Sequence, residues 1–197
     1  GVNGDYLKEL VTYWRHGFDW REQEAQINRF DHFKVTLENV PIHFIRQSGD
    51  GPKPIALILS HGWPWTFWDL RHLIGPLSRP GDFGGDPDDA FDVIVPSLPG
   101  YGFSGRPVKP LSPRSVAKYF DELMVGTLGY SNYIAQGGDW GSSVSGWLGY
   151  EGRGCRAVHL NMLGWRSPGV VPETREEVEE AQEFQASFEA EGAYLRL

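Results

Sequence analysis

The chain has almost no thiol chemistry: one cysteine, Cys155, in 197 residues. That excludes an internal disulfide and makes a cysteine-rich metal site untenable. Cys155 opens the run Cys155-Arg156-Ala157-Val158 and reads as a buried, inert thiol. Long hydrophobic runs are also lacking. The longest purely aliphatic stretch, Ile55-Ala56-Leu57-Ile58-Leu59, is far short of the ~20 residues that cross a bilayer. Basic charge is scarce, with 18 Lys and Arg against 26 Asp and Glu and a formal charge of −8. No basic patch offers a nucleic-acid surface. Eight glutamates lie between Glu173 and Glu191 inclusive, and they read as one solvated helix face. The N-terminus, with Asp5, Lys8 and Glu9, lacks signal-peptide character, so a cytoplasmic protein is expected.

What is present is enough apolar material for a core: 40% hydrophobic and 14% aromatic residues. From about residue 33, short apolar runs alternate with helical patterns, the signature of an α/β sheet. Phe33–Leu37 and Ile42–Ile45 read as an antiparallel hairpin around the turn Glu38-Asn39-Val40-Pro41. Ile55–Ser60, Asp92–Pro96 and Tyr133–Gln136 read as strands buried on both faces of a parallel sheet, with Ala157–Leu160 a weaker candidate. Ser112-Pro113 starts a helix whose apolar residues run from Val116 to Leu128, and Gly129 ends it. Thr174-Arg175-Glu176-Glu177 forms a capping box ahead of the stripe Val178, Ala181, Phe184 and Phe188. Before the sheet, Leu7, Leu10, Val11 and Trp14 predict one amphipathic helix and Asp19 caps a second, together a helical arm lying against the domain. Pro80–Asp89 reads as a surface loop.

Three turns fall just after predicted strands, where an open α/β sheet places its ligand crevice. They are His61-Gly62-Trp63-Pro64, Pro99-Gly100-Tyr101-Gly102-Phe103-Ser104-Gly105 and Gly137-Gly138-Asp139-Trp140-Gly141. The last has the form small-x-nucleophile-x-small, with Gly137 and Gly141 leaving room for a sharp strand-to-helix turn. Its centre is Asp139 where esterases carry serine. A carboxylate needs no base to attack, and it displaces a leaving group from saturated carbon to give an enzyme ester. An Asp that only caps the following helix is the lesser alternative. Cleavage of that ester passes through an oxyanion, for which the backbone amides of Trp63 and Trp140 are the expected donors. Trp63, Pro64 and Trp140 also line an expected apolar substrate pocket. His61 reads as a structural hydrogen-bonding residue rather than the general base.

Together these motifs resemble the microsomal-type epoxide hydrolases of the α/β-hydrolase superfamily. Tyr13-Trp14-Arg15, Phe18-Asp19-Trp20-Arg21 and the stretch from Leu37 to Phe44 resemble that family's N-terminal arm and first hairpin. The resemblance implies an incomplete α/β-hydrolase fold: an arm over residues 1–32, a hydrolase core over 33–164 and the start of a helical lid over 165–197. It implies conversion of epoxides to vicinal diols through an ester at Asp139, with no metal or cofactor. Tyr194 takes the place of one of two lid tyrosines that protonate the ring oxygen. The second tyrosine, and the base His with its acidic partner, have no counterpart among the six histidines here. Either the chain is the N-terminal part of a longer enzyme or a second chain supplies the remainder; the 197 residues alone are not expected to turn over. The expected partners are a small apolar epoxide and water, with a homodimer left open. The nearest alternative is a haloalkane dehalogenase with the same nucleophile, in which the Trp140 indole holds the leaving halide. A non-catalytic hydrolase-fold binding protein is the third reading.

Overall fold

Alternation within the short apolar runs decides the architecture. In Ile55–Ser60, Leu57 and Leu59 belong to one apolar cluster while Ala56 and Ile58 belong to another, so both faces of this strand must be covered. The structure is a computed structural model that describes residues 2–162 and, beyond them, Thr174, Arg175, Val178, Glu179 and Gln182. Six strands are described: β1 (His32–Leu37), β2 (Val40–Gln47), β3 (Ile55–Ser60), β4 (Phe91–Pro96), β5 (Tyr133–Gly137) and β6 (Cys155–Leu160). They form one sheet in the order β1-β2-β4-β3-β5-β6. β1 pairs antiparallel with β2, and β2 with β4; β4, β3, β5 and β6 run parallel. The expected α/β, mostly parallel architecture is present.

On one face, α4 (Pro113–Asp121) and α5 (Trp140–Glu151) bring Val116, Phe120, Val144 and Leu148 against Ile42, Ile58, Ile94 and Ala135. On the other, Ile74 of α3 (Arg71–Ser78) joins Phe67, Leu57, Leu59, Val93 and Val95. Each Val, Leu, Ile or Phe among them contributes roughly 1.5–3 kcal/mol on leaving water. Because β4 lies on one side of β3 and β5 on the other, the sheet's growth reverses at β3. A crevice therefore opens at the carboxyl ends of β3 and β5.

Several local expectations change. The hairpin turn is tighter than predicted: Leu37 pairs with Val40, so only Glu38 and Asn39 lie outside the ladder, both at positive φ (44° and 69°). That is the two-residue turn whose twist matches its strands, and it leaves Val40 and Pro41 inside β2. The long helix from Ser112 divides, since α4 gives way at Asp121 to a π-helix over Glu122–Thr127. There the Asp121 carboxylate receives the Tyr133 hydroxyl (2.8 Å), the Arg153 amide (3.0 Å) and the Arg153 Nε–H (2.6 Å). The Pro80–Asp89 loop contains two short 3-10 turns, Pro80–Phe83 and Pro87–Asp89.

The arm consists of α1 (Gly4–His16) and α2 (Trp20–Ile27), capped by Asn3 and Asp19. It reaches the core through Ile27 and Phe30, whereas α1 buries none of its residues and leaves Leu7, Leu10, Val11 and Trp14 exposed. Cys155 is half-buried rather than buried, and burial raises its thiol pKa, in keeping with an inert group. Among the described residues no helix is long and apolar enough to cross a membrane.

The chain divides into two compact units, residues 1–163 and 164–197. In the second, the Val178 N–H donates to the Thr174 carbonyl (3.1 Å) and Arg175 pairs with Glu179 (2.9 Å), one helical turn apart.

Candidate active site

The third turn is a sharp elbow. β5 ends at Gly137, α5 begins at Trp140, and Asp139 between them holds φ 53° and ψ −125°. A non-glycine residue there is strained by about 1–3 kcal/mol, which the surrounding structure must offset. The capping alternative fails on geometry, because the Asp139 side chain makes no capping bond to α5. Its Oδ1 instead accepts the backbone N–H of Trp63 at 2.7 Å.

Glycine is required here for a more specific reason than room for a turn. A Cβ on Gly62 would fall 2.5 Å from both Cβ and Oδ1 of Asp139. One on Gly137 would strike the Gly141 carbonyl, and one on Gly141 would strike the Ser60 carbonyl. Three main chains, from the ends of β3 and β5 and the start of α5, thus converge on the elbow.

His61 is buried and uses both ring nitrogens on the backbone. Its Nε2 accepts the Leu98 N–H (3.0 Å), so Nδ1 carries the proton and donates to the Gly62 carbonyl (2.9 Å). Burial lowers its pKa and keeps it neutral. The expected structural role is therefore what the geometry shows. The Tyr101 ring meets His61 edge-on at 5.6 Å, and burial, then the charge of Asp139, raises its phenol pKa. The Trp63–Pro64 peptide is cis. Trp63 and Trp140 are 44% and 43% exposed, and Trp65 is also exposed, which gives the first and third turns an aromatic rim. Trp140 occupies the first position of α5, where a helix has N–H groups without intrahelical partners.

Two features escaped the sequence reading. Asn161, just past β6, packs its side-chain amide against Gly138 and donates its backbone N–H to the Gly137 carbonyl (3.3 Å), while the Ser142 hydroxyl donates to the Met162 carbonyl. These contacts tie the end of β6 to the elbow. The second is a histidine chain in the hairpin, where each strand carries one histidine, His32 opposite Ile45 and His43 opposite Lys34. Tyr194 lies outside the described residues. No group of His, Cys, Asp and Glu that could hold a metal occurs among the described residues.

A mixed sheet, a strained carboxylate elbow after β5 and an amide-donating turn after β3 define a hydrolase architecture. The family model "alpha/beta hydrolase fold" matches residues 55–185, and the chain belongs to that family. Residues 1–70 match a second model, "Epoxide hydrolase N terminus".

Among curated relatives, Epoxide hydrolase 1 of Oryctolagus cuniculus is 39% identical over 168 residues, 82% of this chain and 37% of the relative. Juvenile hormone epoxide hydrolase 2 of Ctenocephalides felis is 38% identical over 148 residues, 73% of this chain and 31% of the relative. The chain thus spans about a third of the length of these relatives. The solved Aspergillus niger epoxide hydrolase superposes with TM-score 0.83 at 32% identity, covering 98% of this chain and 51% of that one. The juvenile hormone epoxide hydrolase of Bombyx mori gives 0.75 at 30% identity, covering 95% and 42%. The likeness to epoxide hydrolases expected from the motifs is borne out.

Proposed function

We propose that the protein containing this chain hydrolyses epoxides to vicinal diols through an ester on Asp139. The observation that carries the reading is the Trp63 N–H···Asp139 Oδ1 bond at the strained elbow. It distinguishes the two carboxylate oxygens. Oδ1 is held by an amide in the place an oxyanion needs one, and we assign Oδ2 as the attacking atom.

In the first step Oδ2 forms a bond to an epoxide carbon while the carbon–oxygen bond of the ring breaks. The departing alkoxide is strongly basic and takes a proton, for which Tyr194 is our assigned donor. In the second step water adds to Cγ of Asp139 and loses a proton to a base. Charge then develops on Oδ1, within reach of the Trp63 amide; we assign the Trp140 amide as the second donor. Collapse breaks the bond between Cγ and the ester oxygen. The base returns its proton to Oδ2, which leaves in the diol, and the carboxylate keeps the oxygen from water.

We do not assign the base to His61, His32 or His43. Both nitrogens of His61 are engaged, and His32 and His43 are bonded to each other. We therefore expect the 197 residues alone to be alkylated at most once. The names of the relatives support an epoxide substrate, the aromatic rim suits an apolar one, and the arm, core and lid over residues 1–32, 33–164 and 165–197 remain our proposed division.

Solvent labelled with oxygen-18 tests the mechanism in the full-length protein. Label is expected in the Asp139 carboxylate after one turnover of styrene oxide, with the first diol unlabelled. Diol formed without label at Asp139 would refute the ester, and bromide released from a bromoalkane with no diol from the epoxide would indicate a dehalogenase.

A further inference from the structure

Two histidines that the proposed chemistry does not use form a chain of hydrogen bonds through the hairpin. His32 Nε2 lies 3.0 Å from the carbonyl of Ile27, the last residue of α2. His32 Nδ1 lies 2.8 Å from His43 Nε2, and His43 Nδ1 lies 2.8 Å from the Ser97 hydroxyl. A carbonyl only accepts, so His32 Nε2 donates and, with both rings neutral, every proton in the chain is placed. His43 Nε2–H donates to His32, and the Ser97 hydroxyl donates to His43. The surroundings favour neutrality. His43 is 1% exposed, its ring packs against those of Phe67 (4.8 Å) and Phe103 (5.1 Å), and a proton on it would be repelled by Lys34 and by a proton on His32.

The chain ends on the second strand-end turn and grips it twice. The Ser104 hydroxyl accepts the His43 N–H (2.9 Å) and donates to the Ser97 carbonyl (2.8 Å), closing the turn onto the hairpin. Next to Ser97 is Leu98, whose N–H is the one that His61 Nε2 accepts. The other nitrogen of His61 holds the Gly62 carbonyl. That carbonyl and the Trp63 N–H belong to one rigid peptide unit. Fixing the carbonyl on one side therefore fixes where the N–H points on the other, toward Asp139 Oδ1.

We propose that the buried His32–His43 pair is a positioning element for the ester-hydrolysis step, acting on the Trp63 amide through the Ser97–Ser104 turn and His61. The proposal rests on the reading of Asp139 as the nucleophile. It has a kinetic signature because the two steps use this amide differently. During alkylation Oδ1 loses negative charge, so the Trp63 N–H favours the starting carboxylate and a misaimed donor does not slow attack. During hydrolysis Oδ1 gains a full charge, so the same misaiming falls on the transition state.

The test is rapid-quench kinetics on the full-length protein, with the ester at Asp139 counted by mass spectrometry. His43→Phe keeps the ring volume and removes both hydrogen bonds. In it, ester hydrolysis is expected to slow at least about tenfold while alkylation stays within about twofold, so that ester accumulates. His43→Gln keeps one donor and one acceptor and should recover much of the hydrolysis rate. His32→Leu, at a half-buried strand end, should show the same imbalance more mildly and covers the case in which His43→Phe does not fold. Equal slowing of both steps, or a lower active fraction with unchanged rate constants, overturns the proposal. Absence of solvent oxygen-18 from the Asp139 carboxylate after wild-type turnover overturns the nucleophile reading itself and this role with it, whereas label in the wild type without ester accumulation in the variants overturns this role alone.

Discussion

The backbone N–H of Trp63 donates to Oδ1 of Asp139 across 2.7 Å, joining residues that stand 76 positions apart in the chain. The contact exists because β3 and β5 are neighbours in register, with Ser60 opposite Gly137, so the turns that follow them start side by side.

Asp139 serves reaction and stability in opposite senses. Asp139→Asn, which lacks the nucleophilic oxygen, is expected to lose activity on the order of 10³-fold or more, with no ester detectable in quenched samples. Asp139→Gly should be equally inactive yet more stable in urea by about 1 kcal/mol, because glycine occupies φ 53° without strain. A less stable glycine variant would show that the Trp63 bond outweighs the strain.

Gly62→Ala places a methyl group 2.5 Å from the nucleophile's own Cβ and Oδ1. Because the close neighbour is a catalytic carboxylate on a rigid elbow, the loop must move. A loss of about 10²-fold in kcat/KM is expected, with much of the fold's stability retained. Wild-type kinetics in this variant would mean that the elbow gives way easily.

Acid should destabilise the fold partly through His43. Its pKa falls from 6.5 to about 4, chiefly because burial penalises the charged ring, with His32 and Lys34 adding like charge. Between these values the unfolded chain binds a proton that the native chain does not, so stability rises with pH and falls as pH drops from 6.5 toward 4. The loss amounts to roughly 3 kcal/mol at most. Urea midpoints measured across this window should flatten in His43→Gln; the same slope in the variant would assign the effect elsewhere.

Tyr133→Phe removes the hydroxyl donor to Asp121 while Arg153 stays in place. Tyr133 is fully buried, so a cost of about 1–2 kcal/mol is expected, with kcat and KM unchanged. A change in kcat would link the π-helix region to the site.

Much of this was legible from residue order. Ile55–Ser60 is bounded in the structure as its apolar run predicts, and the elbow lies where Gly137 and Gly141 bracket Asp139. Local pattern was enough for those features because strand burial and sharp turns act through nearest neighbours. It was not enough where partners lie far apart. His43 finds Ser97 at 54 positions' distance, and Asp121 meets Arg153 at 32. No periodicity reports such meetings, and so the histidine chain and the change from α4 to π-helix were missed. The amphipathic pattern of α1 was read correctly as a helix but not as an exposed one, since a sequence stripe does not say what covers it.

The donor aimed at Asp139 is an atom of the main chain. Every substitution at position 63 except proline is therefore blind to it: Trp63→Phe or Trp63→Leu alters the rim and leaves the N–H in place. Amide-to-ester replacement of the Gly62–Trp63 linkage deletes the hydrogen itself without the ring constraint that proline would bring. A tolerant score at residue 63 would consequently describe the indole and say nothing about the atom nearest the chemistry.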